Sequence, residues 1–277
     1  MSRNLLTLIG YSLVIFVATF LAGKASALGK MSHTRTQLVL SLVAGFIIGI
    51  AFYHLLPHAA ENLTGEEGLH QAVFFAVLGI VAMVVLLRVF HFHHHELSSA
   101  QRISGSERGQ AGLKRQSFFS IAAGLSLHTV TEGIALGAAV LASMSHGQPT
   151  LLPGLGVFLV ILAHKPLDAY ALLSMMQAAG FNKAQRALAN VCFALLCGVV
   201  ALGCYLLAGQ LSDAPGGGSV TASAMAFGAG AFLCVALSDL LPEIHFHTHD
   251  RFKLLAAFLV GLGLSYGIYF IEEATLH

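Results

Sequence analysis

Hydrophobic residues fall into eight long runs, which are separated by shorter stretches rich in polar and charged residues. Each run is long enough to cross a lipid bilayer as an α-helix, which takes about 20 residues. We number the runs as spans 1 to 8, and they cover 4–23, 37–57, 70–90, 117–143, 152–178, 187–210, 220–243 and 254–273. The pattern predicts an all-α membrane protein with eight transmembrane helices in a single transmembrane domain, 1–277.

The composition agrees with this pattern, because 56% of the 277 residues are hydrophobic and only 10% are charged. Soluble domains carry about 25% charged residues, so much of this chain is expected to face lipid or other helices. The net charge of +1 gives no attraction for nucleic acid. The polar segment 91–116 is too short for a soluble domain, and Ser98 to Gly112 is rich in Gly, Ser, Gln and charge, so the segment is predicted to be a flexible loop.

The basic residues lie almost entirely on one side of the predicted bundle. All 14 Lys and Arg residues except Arg3 and Lys165 fall in the first, third, fifth and seventh connecting segments, counting Arg88 at the end of span 3 with the third segment. Because cytoplasmic segments carry the excess of Lys and Arg, we predict that these segments are cytoplasmic and that both termini are outside. The first residues also resemble a signal peptide, but cleavage would place the basic segment after span 1 outside, so span 1 is interpreted as a retained helix.

Spans 4 and 5 each carry a histidine and a carboxylate deep inside an apolar sequence. His128 and Glu132 lie four residues apart, and His164 and Asp168 have the same spacing. On a helix this spacing places both side chains on one face, and at about 1.5 Å per residue both pairs reach the middle of the bilayer. Ionisable groups at this depth are costly and usually mark a pathway or a site. Two imidazoles and two carboxylates suit a divalent transition metal; the alternative is a set of hydrogen bonds and ion pairs between helices.

Spans 2 and 7 end in similar sequences. Ala51–His58 reads AFYHLLPH, Ala236–Glu243 reads ALSDLLPE, and Gly45 matches Gly230 at the same offset. In the predicted orientation span 2 runs outward and span 7 runs inward. Matching segments of opposite direction indicate an inverted repeat, here spans 1–3 and 6–8 around a central pair, in a 3+2+3 arrangement. Transporters commonly use this symmetry and bind their substrate near the midplane of the membrane.

Together these motifs resemble the ZIP family (Zrt/Irt-like proteins) of divalent metal transporters. Span 4 is similar to that family's His-x3-acid-Gly pattern and span 5 to its His-x3-acid pattern, while His54–Pro57 and Asp239–Glu243 resemble its span 2 and span 7 signatures. The resemblance implies a transporter rather than an enzyme, with no organic cofactor, that moves Zn²⁺ into the cytosol by alternating access. In some branches of the family the substrate is Cd²⁺, Fe²⁺ or Mn²⁺. The implied location is the plasma membrane, which is the inner membrane in a bacterium.

The four ionisable residues of spans 4 and 5 are expected to form a single transport site. The carboxylates would offset the charge of the ion, and the imidazoles would favour Zn²⁺ over Mg²⁺ or Ca²⁺. Lys165 and Thr129 depart from the family's two-metal form, which has a metal-binding side chain at the first position and often Asn at the second. An ammonium cannot ligate a metal, so we expect Lys165 to stand where a second cation would sit and to balance Asp168 or Glu132. The alternative is that Lys165 extends toward a polar cavity.

Further polar residues lie near the two ends of the predicted pathway. His54 and His58, near the outer end of span 2, would receive the ion or relay protons, or they would serve in packing and helix capping. The residues expected on the exit side are Asp239, Glu243, His245, His247 and His249. The cytoplasmic loop adds His91, His93, His94, His95 and Glu96. Such histidine-rich tracts bind zinc readily; the alternative is a polar loop with no role in transport.

Small residues inside the spans bear on packing and assembly. Gly45 with Gly49, and Gly263 with Gly267, have the spacing that permits close helix packing, and a homodimer through such faces is one expectation. The four cysteines lie inside predicted spans without a CxxC spacing, so they are expected to be reduced packing residues.

Three other functions fit parts of this pattern. A metal efflux carrier also uses His-x3-Asp sites, but such carriers usually have six spans and a soluble C-terminal domain. An intramembrane zinc-dependent hydrolase would use similar ligands to activate water, although the His-Glu-x-x-His motif is absent from the sequence. A metal-gated channel would share the site but would carry a faster flux that does not saturate.

Overall fold

Eight helices occupy the eight predicted runs in the computed structural model, which describes residues 3–26, 33–63, 68–100, 107–142, 152–212, 217–237 and 251–274. We number them so that each helix carries the number of its span. They are α1 (Arg3–Ala25), α2 (α-helical over His33–Ile50 and Leu56–Asn62, with a π-helical turn, Ala51–Leu55, between), α3 (Gly68–Ala100), α4 (Glu107–Ala142), α5 (Leu155–Ala178), α6 (Lys183–Ser212), α7 (Gly217–Val235) and α8 (Arg251–Ala274).

The prediction of an all-α membrane protein is confirmed. Seven of the helices are long and apolar enough to cross a membrane, and α7 has a shorter apolar stretch, Ser219–Val235. The predicted end of span 7, at residue 243, lies outside the described residues. The described ranges contain no strand. Apolar runs become helices in a bilayer because each backbone N–H and C=O must find its partner within the segment.

Most of the segment 91–116 has a helical backbone, where the sequence predicts a flexible loop. Helix α3 continues to Ala100 and α4 begins at Glu107, so only 101–106 of this segment lies outside the described residues. The segment contains no proline and includes Leu, Ala, Gln, Lys and Arg, all of which favour helix. A polar and charged composition does not by itself oppose helix formation.

Helices α2, α4, α5 and α7 form the interior of the bundle. In the most apolar window of α4, 67% of the residues are buried, against 17% in α8 and 22% in α1. The hydrophobic core draws on α1 to α7, with Ile15, Ile47, Leu136, Ile161 and Phe232 among its buried side chains. The middle of α4 and α5 is therefore shielded from lipid, and polar side chains there meet one another.

Glycines bring α2 and α8 into backbone contact. A Cβ atom at Gly45 would lie 2.1 Å from the carbonyl oxygen of Phe258, and one at Gly261 would lie 2.0 Å from that of Leu42. A methyl group cannot fit at either place unless the helices move apart, so glycine permits this close approach.

The glycine spacing predicts only half of this contact. Gly45 and Gly49 of α2 do face α8, but among the described residues no atom lies within 4 Å of a Cβ at Gly263 or Gly267. Helix α8 uses Gly261 instead. Because successive residues turn by about 100° around a helix, Gly263 and Gly267 point away from the face that carries Gly261.

Helices α3 and α7 meet in the same way. A Cβ at Gly79 would lie 2.1 Å from the carbonyl oxygen of Phe227, and one at Gly230 would lie 1.8 Å from that of Ala76. Gly230 is the residue that the sequence repeat aligns with Gly45. The two glycine contacts thus pair the second helix of each three-helix group with the third helix of the other.

A π-helical turn interrupts α2 at Ala51–Leu55, where the N–H of Leu56 bonds to the carbonyl of Ala51, five residues back. Pro57 follows directly, and proline has no N–H to donate to the carbonyl four residues before it. The last two described residues after α7, Ala236 and Leu237, also have π-helical bonding. The sequence repeat aligns Ala51 with Ala236.

Candidate metal site

Helices α4 and α5 bring the four predicted ligands into one cluster. One donor atom from each of His128, Glu132, His164 and Asp168 can be chosen so that all four lie within 4.8 Å of one another. The first three residues are 5%, 1% and 2% exposed, and the Asp168 side chain is 21% exposed. Such a cluster of two imidazoles and two carboxylates has the size and chemistry of a site for one transition metal ion.

The two oxygens of the Glu132 carboxylate face different partners. Oε1 lies 3.0 Å from Nε2 of His128 and is hydrogen-bonded to Nε2 of His164. Oε2 accepts a hydrogen bond of 2.5 Å from the ammonium of Lys165. One oxygen therefore belongs to the histidine side of the cluster, and the other belongs to the lysine.

The orientation of the His164 ring is set by its own helix. Nδ1 lies 2.7 Å from the carbonyl oxygen of Val160, and because a carbonyl only accepts, Nδ1 must carry a hydrogen. Nε2 is bonded to Oε1 of Glu132, which also accepts, so in this arrangement Nε2 carries a hydrogen too, and it would release that hydrogen to bind a metal. Histidines that bind metals commonly donate their second ring N–H to a backbone carbonyl in this way.

Two side chains of the cluster keep buried polar atoms without hydrogen bonds. Among the described residues, Nδ1 of His128 and Oδ2 of Asp168 have no hydrogen-bond partner, and Nε2 of His128 has only its contact of 3.0 Å with Glu132. An unsatisfied buried polar atom costs roughly 1–3 kcal/mol, and such atoms in a native protein require an explanation. A network of hydrogen bonds between helices would leave this cost uncompensated, whereas a cation bound between these atoms would satisfy them.

Lys165 lies inside the cluster and is 1% exposed. Its Nζ donates to Oγ1 of Thr129 and to Oε2 of Glu132, both at 2.5 Å, and lies 3.9 Å from Oδ2 of Asp168. The ammonium also lies 4.6 Å from the centroid of the Phe193 ring in α6, within the range of a cation–π interaction. Its ammonium therefore lies near both acids, Glu132 and Asp168, and its role in place of a second cation stays a prediction.

Phe193 is a neighbour of the cluster that the sequence did not indicate. It lies in an apolar run of span 6 and resembles a packing residue, and it belongs to a small hydrophobic cluster with Phe118. Nothing in its position in the sequence predicts that the face of its ring contacts an ammonium group. Only the packing of α6 against α5 makes it a partner of Lys165.

His54 and His58 lie apart from the four-residue cluster. His54, in the π-helical turn, is 4% exposed and donates through Nε2 to the carbonyl oxygen of Ser265 at 3.1 Å. His58 donates through Nδ1 to the carbonyl of His54 at 2.8 Å. A Cβ atom at Gly156 would lie 3.5 Å from the His54 ring, so this histidine stands where α2, α5 and α8 meet.

The other predicted residues cannot be placed around the site. The exit-side residues Asp239, Glu243, His245, His247 and His249 lie outside the described residues. The backbone of 91–96 belongs to α3, but the side chains of His91, His93, His94, His95 and Glu96 lie outside the described set. Their roles stay predictions. All four cysteines are free thiols, with Cys197 and Cys234 buried.

Comparison with known proteins identifies relatives over most of the chain. The zinc transporter ZIP9-A of Xenopus laevis is 27% identical over 277 residues, which cover 86% of each protein. The zinc transporter GufA of Myxococcus xanthus is 28% identical over 265 residues, which cover 90% of this chain and 96% of that protein. The zinc transporter ZIP9 of Macaca fascicularis is 34% identical over a shorter stretch of 132 residues, 46% of this chain and 54% of that protein.

The sequence profile of the ZIP zinc transporter family matches residues 91–268, which is more than half of the chain. This range contains both His-x3-acid motifs and the helices that carry them. The match agrees with the apolar helices, which indicate an integral membrane protein. The chain belongs to the ZIP family of zinc transporters, which are transporters and not enzymes.

Proposed function

We propose that this protein carries Zn²⁺ across the membrane into the cytosol by alternating access, through a single site formed by His128, Glu132, His164 and Asp168. The observation that carries the proposal is the convergence of four donor atoms within 4.8 Å. Nδ1 of His128 and Oδ2 of Asp168 support it, because these buried atoms lack hydrogen bonds and lie in an arrangement that a cation would complete.

The donor set favours zinc. Zn²⁺ accepts nitrogen and oxygen ligands in a tetrahedral arrangement, whereas Mg²⁺ and Ca²⁺ prefer six or more oxygens. Two carboxylates match the double charge of the ion. Relatives over most of the chain bear the name of zinc transporter, which supports the same substrate. Cd²⁺, Fe²⁺ and Mn²⁺ are secondary candidates that the same ligands could bind.

The orientation of the chain in the membrane rests on the charge pattern and on the proposed repeat, and the inward direction of transport rests on the resemblance to the ZIP family. The basic segments would lie in the cytosol, with both termini outside, in the inner membrane if the protein is bacterial. The glycine contacts of α2 with α8 and of α3 with α7 support an inverted 3+2+3 arrangement, since the repeat relates one pair to the other. In this arrangement one group of helices, containing α4 and α5, would move against the other group. The ion would pass from the region of His54 to the region after α7.

Lys165 would replace a second metal ion. Its ammonium lies between Glu132 and Asp168 and is buried with them. In the empty carrier it would offset part of the cost of two buried acids, since an unpaired charge at this depth is expensive. The metal-free transporter could then change its conformation back to accept another ion, with less uncompensated charge buried in the membrane.

The test is uptake by proteoliposomes that contain a zinc-sensitive dye, with Zn²⁺ added outside. We expect saturable uptake by the wild-type protein and a loss of at least tenfold in His164→Ala. The matched control is His70→Ala, which removes an exposed histidine of α3 and should leave uptake unchanged. Zinc accumulation by intact cells that express the protein distinguishes uptake from efflux. Normal uptake by a folded His164→Ala variant, or no metal uptake by the wild type, would overturn the proposal.

A further inference from the structure

The hydrogen bond from Lys165 restricts how Glu132 can bind an ion. A carboxylate can offer a metal one oxygen or two. Here Oε2 accepts the ammonium of Lys165 at 2.5 Å, and only Oε1 faces the two imidazoles. While Lys165 keeps this position, Glu132 can contribute a single oxygen.

The surroundings of Lys165 hold the ammonium in place. Its second acceptor, Oγ1 of Thr129, donates its own hydrogen to the carbonyl of Leu125 at 2.8 Å, so a lone pair of this hydroxyl remains for the ammonium at 2.5 Å. The ring of Phe193 lies on a further side, 4.6 Å away. The side chain is 1% exposed, so water does not compete for these contacts.

We infer that Lys165 determines the metal selectivity of the site, by limiting the ion to about four protein ligands; this inference rests on the proposed function. One oxygen of Glu132, two imidazole nitrogens and Asp168 give a coordination number that Zn²⁺ and Co²⁺ adopt readily. Ions such as Mn²⁺ prefer six ligands, mostly oxygen. With the second oxygen of Glu132 withheld, such an ion has too few donors in a buried site where water is scarce.

The experiment compares the wild-type protein with Lys165→Met, which keeps the length of the side chain but removes the ammonium. Uptake of Zn²⁺ and Mn²⁺ is measured in competition in proteoliposomes. We expect the ratio of Mn²⁺ to Zn²⁺ uptake to rise about tenfold, equivalent to about 1.4 kcal/mol of selectivity. Cys192→Ala, an exposed position of α6, is the control and should keep the wild-type ratio.

A spectroscopic measurement separates coordination from other effects. Purified protein loaded with Co²⁺ should give the intense visible absorption of a tetrahedral ion in the wild type. Lys165→Met should give the weak absorption of a five- or six-coordinate ion, because the second oxygen of Glu132 is released. If Lys165→Met does not fold, Thr129→Val loosens the ammonium without removing it and should shift both measurements in the same direction by a smaller amount.

The outcomes distinguish this inference from the proposed function. An unchanged uptake ratio and an unchanged Co²⁺ spectrum in folded Lys165→Met, with His164→Ala inactive, would overturn the role of Lys165 and leave the transport site standing. Transport by His164→Ala would instead overturn the site itself, and the selectivity argument with it.

Discussion

The buried pair of Glu132 and Lys165 should contribute strongly to the stability of the protein. Both side chains are at most 1% exposed, and their charged atoms lie 2.5 Å apart. Asp168, the other acid near the ammonium, is farther away at 3.9 Å. Removing one member of a buried ion pair typically costs about 3–5 kcal/mol, because the remaining charge loses its partner in a medium of low dielectric constant.

A double-mutant cycle measures this coupling. Glu132→Gln keeps the shape of the side chain and removes its charge, and Lys165→Met removes the ammonium. We expect Glu132→Gln to lower the free energy of unfolding by about 3 kcal/mol, and Lys165→Met by less, because Glu132 keeps both histidines as neighbours. The double variant should lose no more free energy of unfolding than Glu132→Gln alone, which corresponds to a coupling energy of about 2 kcal/mol between the two residues.

The assay is reversible unfolding in mixed micelles with increasing sodium dodecyl sulfate, in the presence of a chelator so that bound metal adds nothing. Helical content and the exposure of buried cysteines follow the transition. A coupling energy below about 0.5 kcal/mol, the usual limit of additivity, would refute the argument. In that case the ammonium and the carboxylate would not be paired in the folded protein, and the selectivity argument would lose its basis.

Two further predictions concern positions outside the cluster. Gly45→Ala should destabilise the protein by about 1–3 kcal/mol, because the new methyl group would lie 2.1 Å from the carbonyl of Phe258; thermal unfolding checks this, and Gly263→Ala, which meets no described atom within 4 Å, is the control that should remain within about 1 kcal/mol of wild type. His54→Ala should slow zinc uptake but leave Co²⁺ binding at the cluster intact, because His54 bonds to the carbonyl of Ser265 and is not one of the four clustered donors; an equal loss of Co²⁺ binding would contradict this placement.

Most of the fold and the four-residue cluster can be predicted from sequence patterns that reflect helix length and helix periodicity. Eight apolar runs predicted the helices because a bilayer imposes both their length and their composition. The four-residue spacing of histidine and acid places each pair on one face of its helix. When two such helices are neighbours inside the bundle, their polar faces pack toward each other and away from lipid. For the same reason the sequence alone predicts that His128 and His164 belong to one site.

Features that depend on three-dimensional packing were not predictable in this way. Helix α8 packs through Gly261 rather than Gly263, since the facing side depends on how two helices rotate against each other. Which oxygen of Glu132 contacts Lys165 and which faces the histidines depends on how α5 is rotated about its axis, to within a fraction of a helical turn. Phe193 becomes a partner of the ammonium only because α6 lies against α5, and its apolar sequence context gives no sign of this.

The π-helical turn in α2 has a consequence for aligning this chain with its relatives. A π turn fits one more residue into the rise of an α-helix, so a relative whose second helix is α-helical throughout would be one residue shorter between the equivalents of Gly45 and Pro57. An alignment that places no gap there would pair His54 with a residue of the relative that lies about 100° away around the helix from the true equivalent. Within the chain itself no gap is needed, because Ala51 and Ala236 both begin such a turn.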